Sequence, residues 1–210
     1  SFDLCSNLTL SSDKLQFKPL FALSRHSLGI PCVLNNELHI LDSPENIIQT
    51  MIHDINQAQK TISMTFYIWF DGGLINDVMN ALIQTAKRGV KIQILLDSVG
   101  SKKFLGSKNY RYMQDNGIQI EEALHANLLR MFFRRVDLRQ HRKIVVIDDN
   151  ISYTGSMNMV DPRYFKQDSN VGQWIDIMVR IEGPASLILQ GVHDWDWQME
   201  TEEEVALLPP

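Results

Sequence analysis

The chain has 210 residues, 44% of them hydrophobic and 21% charged, with 20 basic against 25 acidic side chains and a formal net charge of −5. That balance is ordinary for a soluble globular protein, and the length is enough for one large domain with a real core. A net negative chain is not an obvious nucleic-acid binder, although a local basic patch is still compatible with it. Two cysteines, Cys5 and Cys32, do not make a disulfide framework, so a reducing compartment is the simpler expectation. No run approaches the roughly 18 consecutive apolar residues of a membrane span, so any membrane contact by these residues is expected to be peripheral. Ser1 opens the chain without a charged n-region or an apolar h-region, which reads as the start of a trimmed fragment.

In chain order, residues 1–30 are polar and weakly patterned and read as an N-terminal extension. Residues 33–41 suggest two short strands around an Asn35-Asn36 turn. Ser43-Pro44 then starts a helix, with Ser as cap and Pro at the first position, and Ile47, Ile48, Met51, Ile52 and Ile55 share one face. Residues 61–70 are β-branched and aromatic and predict a buried strand. A second helix carries Leu74, Val78, Leu82 and Ala86 on one stripe and stops at Gly89. Residues 90–96 form a strand, 108–116 a helix closed by Gly117, and 118–121 another strand. Strands at 143–147 and 151–154 are joined by Asp149-Asn150, a strand follows at 174–181, and Gly183-Pro184 opens a last helix to about 197. Alternating strands and helices predict an α/β layered fold. The closely connected strands at 143–154 exclude a parallel crossover there, so the sheet is expected to be mixed and flanked by helices. Asp194, Asp196, Glu200, Glu202, Glu203 and Glu204 read as a solvated acidic end.

The chemistry concentrates in His141-x-Lys143-x4-Asp148-x6-Gly155-Ser156-x-Asn158. His141 and Lys143, two residues apart at the head of a strand, share a face. Ser156 and Asn158, also two apart, sit just past the next strand. If the two strands pair, an imidazole, an ammonium, a hydroxyl and a carboxamide converge on one point. The cation and the neutral donors suit the non-bridging oxygens of a phosphodiester while the imidazole attacks phosphorus. The scheme needs no metal and no cofactor, and no zinc-spaced Cys/His cluster or clear carboxylate cluster is present in the sequence. A His beside a Lys is by itself more often a surface pair. Six residue types at fixed spacing, each at a frequency of about 5%, recur by chance in roughly one of several hundred thousand chains this size.

His141-Arg142-Lys143-Ile144-Val145-Val146-Ile147-Asp148 resembles the HxKxxxxD signature of the phospholipase D superfamily, and Gly155-Ser156-Met157-Asn158 its GSxN continuation. The stretches FYIWFDGG, RGVKIQILLDSVGS, RRVDLRQHRK, YTGSMNMVDPRYFKQD and GQWIDIMVRIEGPA resemble bacterial cardiolipin synthases of the two-motif type, from about residue 30 to 200. The resemblance implies a phospholipase-D-like fold and a transfer of a phosphatidyl group between two phosphatidylglycerol molecules through a phosphohistidine. It implies His141 as nucleophile or acid/base partner, and Lys143, Ser156 and Asn158 as phosphate-binding groups. Asp148 matches the third signature residue; five residues beyond Lys143 along a strand put it on the opposite face, so a mainly structural part is expected for it. Asp176 matches the acidic residue that orients the histidine, which would hold the imidazole in one tautomer. The plain alternative for Asp176 is a strand-end charge.

The departures are as informative. Relatives of this type carry two such motifs and this chain has one. His26, His39, His53, His125 and His193 each lack a Lys two residues on. In-line displacement puts attacking and leaving groups on opposite sides of phosphorus, so one imidazole cannot serve both. The expected organisation is therefore an extension at 1–30, a catalytic half-domain at 31–200, and a tail or linker at 201–210 toward a second half. That second half is expected from the same polypeptide or from a second subunit. The expected partners are phosphatidylglycerol and a membrane surface, with no nucleic acid, at the bacterial inner membrane facing the cytoplasm, this fragment itself being soluble. The competing readings are a single-motif phosphodiesterase or nuclease acting as a homodimer, and a half-enzyme that binds without turnover. Residues 127–135, with Arg130, Arg134 and Arg135 among bulky apolar side chains, read either as an interfacial element attracted to anionic lipid or as a segment packed on the core.

Overall fold

The computed structural model describes residues 16–29, 33–123, 140–165 and 174–201. Cys5, Cys32, the 127–135 segment and the 202–210 tail lie outside the described residues.

The chain runs α1 (Lys18–Leu28), β1 (Glu37–Leu41), α2 (Pro44–Gln57), β2 (Thr61–Phe66), α3 (Leu74–Lys87), β3 (Lys91–Asp97), α4 (Lys102–Leu105), α5 (Lys108–Asp115), β4 (Gln119–Ala123), β5 (Ile144–Ile147), β6 (Ile151–Gly155), β7 (Met178–Glu182) and α6 (Ala185–Thr201). The strands form one mixed sheet in the order β1-β7-β6-β5-β2-β3-β4. β2, β3 and β4 are parallel, because helices return the chain between them. The other pairings are antiparallel.

Helices cover both faces. On one face Ile47, Ile48, Met51 and Ile55 of α2, with Ile75, Val78 and Leu82 of α3, pack on Ile62, Met64, Phe66 and Ile94 of the sheet in the main core. Ser43 caps α2 by accepting the Asn46 N–H, with Pro44 at the first turn. Asp54 is the charged residue on this buried face: it accepts hydrogen bonds from the Tyr153 hydroxyl and from Arg180 Nε at 2.7 Å, so its charge is paired.

The opposite face is covered by α6, and here the sheet surface is polar. Thr65 Oγ1 meets His193 Nδ1 at 2.9 Å, Ser152 meets Ser186 at 2.9 Å, and Gln190 Nε2 donates to Ser63 Oγ at 3.0 Å. Trp197 packs with Leu95 and Ala123 beside them. Burial without a charge partner pushes the His193 imidazole down to about 4, so it is neutral near pH 7.

Several expectations are corrected. Of the two strands expected at 33–41, the described residues form only β1; Asn35 takes φ 62° and Asn36 Oδ1 accepts the Ala185 N–H at 2.8 Å, capping α6 instead. A helix, α1, lies inside the stretch expected to be irregular, and Gly29 ends it in the left-handed conformation. The expected strand at 61–70 ends at Phe66, and that at 174–181 begins only at Met178. The acidic end is not simply solvated: Asp194 and Asp196 lie within α6, where Asp194 accepts from Gln190 Nε2 and Asp196 pairs with Arg142. Among the described residues, no helix is long and apolar enough to cross a membrane.

Candidate active site

His141 and Lys143 immediately precede β5, Ser156 and Asn158 immediately follow β6, and Asp176 precedes β7. β5 is antiparallel to both β2 and β6, with Ile144 opposite Thr65 and Thr154. The start of β5 and the ends of β2 and β6 therefore meet at one end of the sheet. The β5–β6 hairpin closes with the Asn150 N–H on Ile147 O, and Asp148 and Asp149 both take positive φ, as a type I′ turn requires.

Two consecutive residues after β2 touch both halves of the motif. The Tyr67 ring lies 5.2 Å from the His141 ring, and Lys143 Nζ stands 5.6 Å over the same Tyr67 ring. The Ile68 N–H donates to Asn158 Oδ1 at 3.0 Å. The motif residues are thus gathered although 13 to 17 positions separate its two halves in the chain.

Each side chain is held differently. Lys143 is only 5% exposed, and its Nζ donates to the His141 carbonyl at 2.8 Å, which pins the backbone that carries the imidazole. Burial pushes the Lys143 ammonium below the ordinary lysine range, while the Asp176 charge pulls it back up. Asn158, only 6% exposed, uses its oxygen on Ile68, and among the described residues its donor nitrogen makes no bond that would keep it from a substrate oxygen. The Ser156 hydroxyl donates to Asp176 Oδ1 at 2.7 Å and accepts from the Ile177 N–H at 3.0 Å. Gly155 is required by the crossing with the β7 entry: a Cβ there would lie 2.1 Å from the Ile177 carbonyl oxygen.

Asp176 departs from its expected place. Its Oδ1 is taken by Ser156, and its buried Oδ2 has no hydrogen-bond partner among the described residues, so it makes no bond to the His141 ring. Asp148 is remote from the cluster, at the far end of β5. Its carboxylate accepts the backbone N–H groups of Gln59 at 2.7 Å, Lys60 at 2.7 Å and Thr61 at 2.9 Å, and so anchors the loop that leads into β2. A catalytic part for Asp148 is not supported by that location.

Residues outside the motif also position it. Asp97, fully buried at the end of β3, accepts the Val99 and Gly100 N–H groups on Oδ1 and the Gln140 N–H, at 3.1 Å, on Oδ2. It therefore fixes the residue just before His141. Asp196 of α6 accepts from Gln140 Nε2 and binds Arg142 at 2.5 Å, bracing the same approach from the other face. An Asp that ends an apolar strand was the available sequence signal for Asp97; Tyr67 gave none beyond membership of an aromatic run.

The cardiolipin synthase, phospholipase-D-like domain family matches residues 51–182. The chain belongs to that family. Among curated family members, it is 53% identical to cardiolipin synthase A of Proteus mirabilis (strain HI4320), over 92% of this chain and 40% of that protein. It is 48% identical to cardiolipin synthase A of Wigglesworthia glossinidia brevipalpis, over 91% of this chain and 39% of that protein. The chain thus spans about two-fifths of the length of these cardiolipin synthases. In fold it is similar to Nuc from Salmonella typhimurium, a phospholipase D family member, with a TM-score of 0.60 at 21% identity over 79% of this chain and 97% of that one. NucT from Helicobacter pylori gives a TM-score of 0.60 at 16% identity over 78% and 97%.

Proposed function

We propose that this chain is one catalytic half of a phosphatidyltransferase that joins two phosphatidylglycerol molecules into cardiolipin and releases glycerol. The observation that carries the reading is the meeting of His141, Lys143, Ser156 and Asn158 at one sheet end, in a chain of the cardiolipin synthase family. In this reaction one imidazole attacks the phosphorus of the donor lipid. A P–N bond forms as the P–O bond to glycerol breaks, and a second imidazole gives its proton to the departing glycerol oxygen. A hydroxyl of the second phosphatidylglycerol then attacks the same phosphorus. Its proton returns to the second imidazole, and the P–N bond breaks. Lys143 and the donor nitrogen of Asn158 hold the non-bridging oxygens, whose charge grows in each transition state.

This chain supplies one of the two imidazoles, and the second comes from a further half of the polypeptide or from a second subunit. The share of the relatives' length outside the match leaves room for such a half. The edge strand offers exposed apolar side chains for such a pairing: Leu38 and Ile40 of β1 are 63% and 71% exposed. Because the substrate is a bilayer lipid, the same reading puts the protein at the bacterial inner membrane with this part facing the cytoplasm. The alternative, a single-motif phosphodiesterase working as a homodimer, draws on the similarity to Nuc, a chain spanned over 97% of its length by this one. The net charge of −5 counts against a nucleic-acid substrate.

The test is a conversion assay on phosphatidylglycerol vesicles with the assembly that carries both motifs. His141→Ala should lower the rate at least about 100-fold, the lower range for lost acid–base help. His53→Ala, an exposed position on α2, should leave it intact. A folded His141→Ala protein that kept more than about a tenth of the rate would overturn the assignment.

A further inference from the structure

We infer that Tyr67 is a positioning residue for this chemistry: its ring is the platform on which the His141 imidazole and the Lys143 ammonium are held side by side. The inference rests on the reading that His141 does the chemistry, and it names what holds that imidazole in place.

The imidazole needs such a support. His141 is exposed, and the carboxylate expected to orient it is bonded to Ser156 instead. Tyr67 packs its ring on the imidazole at 5.2 Å between centroids with a 51° tilt. The same ring faces the lysine ammonium at 5.6 Å, within the range of a cation–π contact. One aromatic surface therefore touches both ionisable groups of the motif.

Tyr67 is itself fixed from behind. Its carbonyl accepts the Ser101 hydroxyl at 3.1 Å, and Ser101 Oγ accepts the Trp69 N–H at 3.0 Å. Gly100 lies flush against it: a Cβ there would sit 2.2 Å from the Tyr67 carbonyl oxygen and 2.9 Å from the nearest ring carbon. The loop that carries Gly100 and Ser101 is folded around the buried Asp97. The platform is thus anchored through the end of β3, on the same Asp97 that holds the residue before His141.

The physical consequence is twofold. A ring beside the imidazole removes rotamers that an exposed histidine would otherwise sample, so less ordering is left for the moment of attack. An aromatic face also favours a neighbouring cation, which suits groups that carry positive charge against a phosphodiester. Both effects need the ring and neither needs the phenol oxygen.

The experiment has two arms. In the first, the NMR spectrum of the 210-residue chain reports the ring directly. The His141 ring protons should show a ring-current shift and cross-relaxation to Tyr67, retained in Tyr67→Phe and lost in Tyr67→Leu. In the second, phosphatidyl transfer by the two-motif assembly should fall about tenfold or more in kcat for Tyr67→Leu with KM nearly unchanged, since misplacement near the reacting atoms costs turnover. Tyr67→Phe should stay within about threefold of the wild type. Absence of the shift and of cross-relaxation in the wild-type chain overturns the proposal, whether or not the leucine variant folds. A folded Tyr67→Leu enzyme with the kcat of Tyr67→Phe also overturns it. The first arm involves no substrate, so a failure of the proposed reaction would leave it readable and distinct.

Discussion

The Asp176 carboxylate accepts the Ser156 hydroxyl at 2.7 Å, and its other oxygen is buried without a hydrogen-bond partner among the described residues. Asp176 therefore acts first on the GSxN segment and, through its charge, on Lys143, whose buried ammonium it helps keep protonated. Asp176→Asn keeps an acceptor for Ser156 and removes the charge. Burial then acts on Lys143 unopposed, and the lysine loses its proton at a lower pH than in the wild type. In the two-motif assembly, the alkaline limb of the rate profile should move to lower pH, with an unchanged circular dichroism spectrum. An alkaline limb that stays in place would show that the Asp176 charge does not act on the lysine.

Asp148 predicts a different phenotype. It accepts three backbone N–H groups at the entry to β2, far from His141. Asp148→Ala leaves those donors to water or unpaired and should cost about 2–3 kcal/mol of stability, the scale of hydrogen bonds to a charged group. Urea denaturation of the chain measures this. The turnover of the folded fraction should change by less than about threefold, against the 100-fold or greater loss expected for His141→Ala. A large loss of turnover at unchanged stability would return Asp148 to the reaction.

His193 makes the fold sensitive to acid. Its folded-state value, about 4, lies below the 6.5 of a free imidazole, so the unfolded chain binds a proton in that window and the folded chain does not. Stability contributed by the neutral imidazole is complete above about pH 6.5 and is lost as pH falls toward 4. At 1.36 kcal/mol per unit the loss is on the order of 3 kcal/mol. Urea midpoints should fall between pH 7 and pH 4.5. His193→Gln, which can still bond Thr65, should flatten that slope, and an equal slope in the variant would locate the acid sensitivity elsewhere.

What the sequence determined by itself was local and periodic. The apolar stripes of α2 and α3 reflect a 3.6-residue period that only a one-sided helix needs: Ile47, Ile48, Met51, Ile55, Val78 and Leu82 are buried as expected, while Ile52, Leu74 and Ala86 sit partly buried at the margin of the core. The motif spacing was legible because two short apolar runs around an acidic turn can pair only as a hairpin, which brings residues 141–143 and 156–158 to one end. What only the tertiary structure decided was which side chain meets which. Asp176 reaches Ser156 because β7 pairs with β6 from the outer side, a choice that no local period encodes. Tyr67 meets His141 because β2 pairs with β5 across some 80 positions of chain. α1 escaped because helix signals rest on a buried face, and its residues are almost all exposed. The polar lining beneath α6 was hidden for a related reason: Ser63 and Thr65 lie in a run read as a buried strand, but only the helix laid over them supplies the Gln190 and His193 side chains that let each find its hydrogen bond while buried.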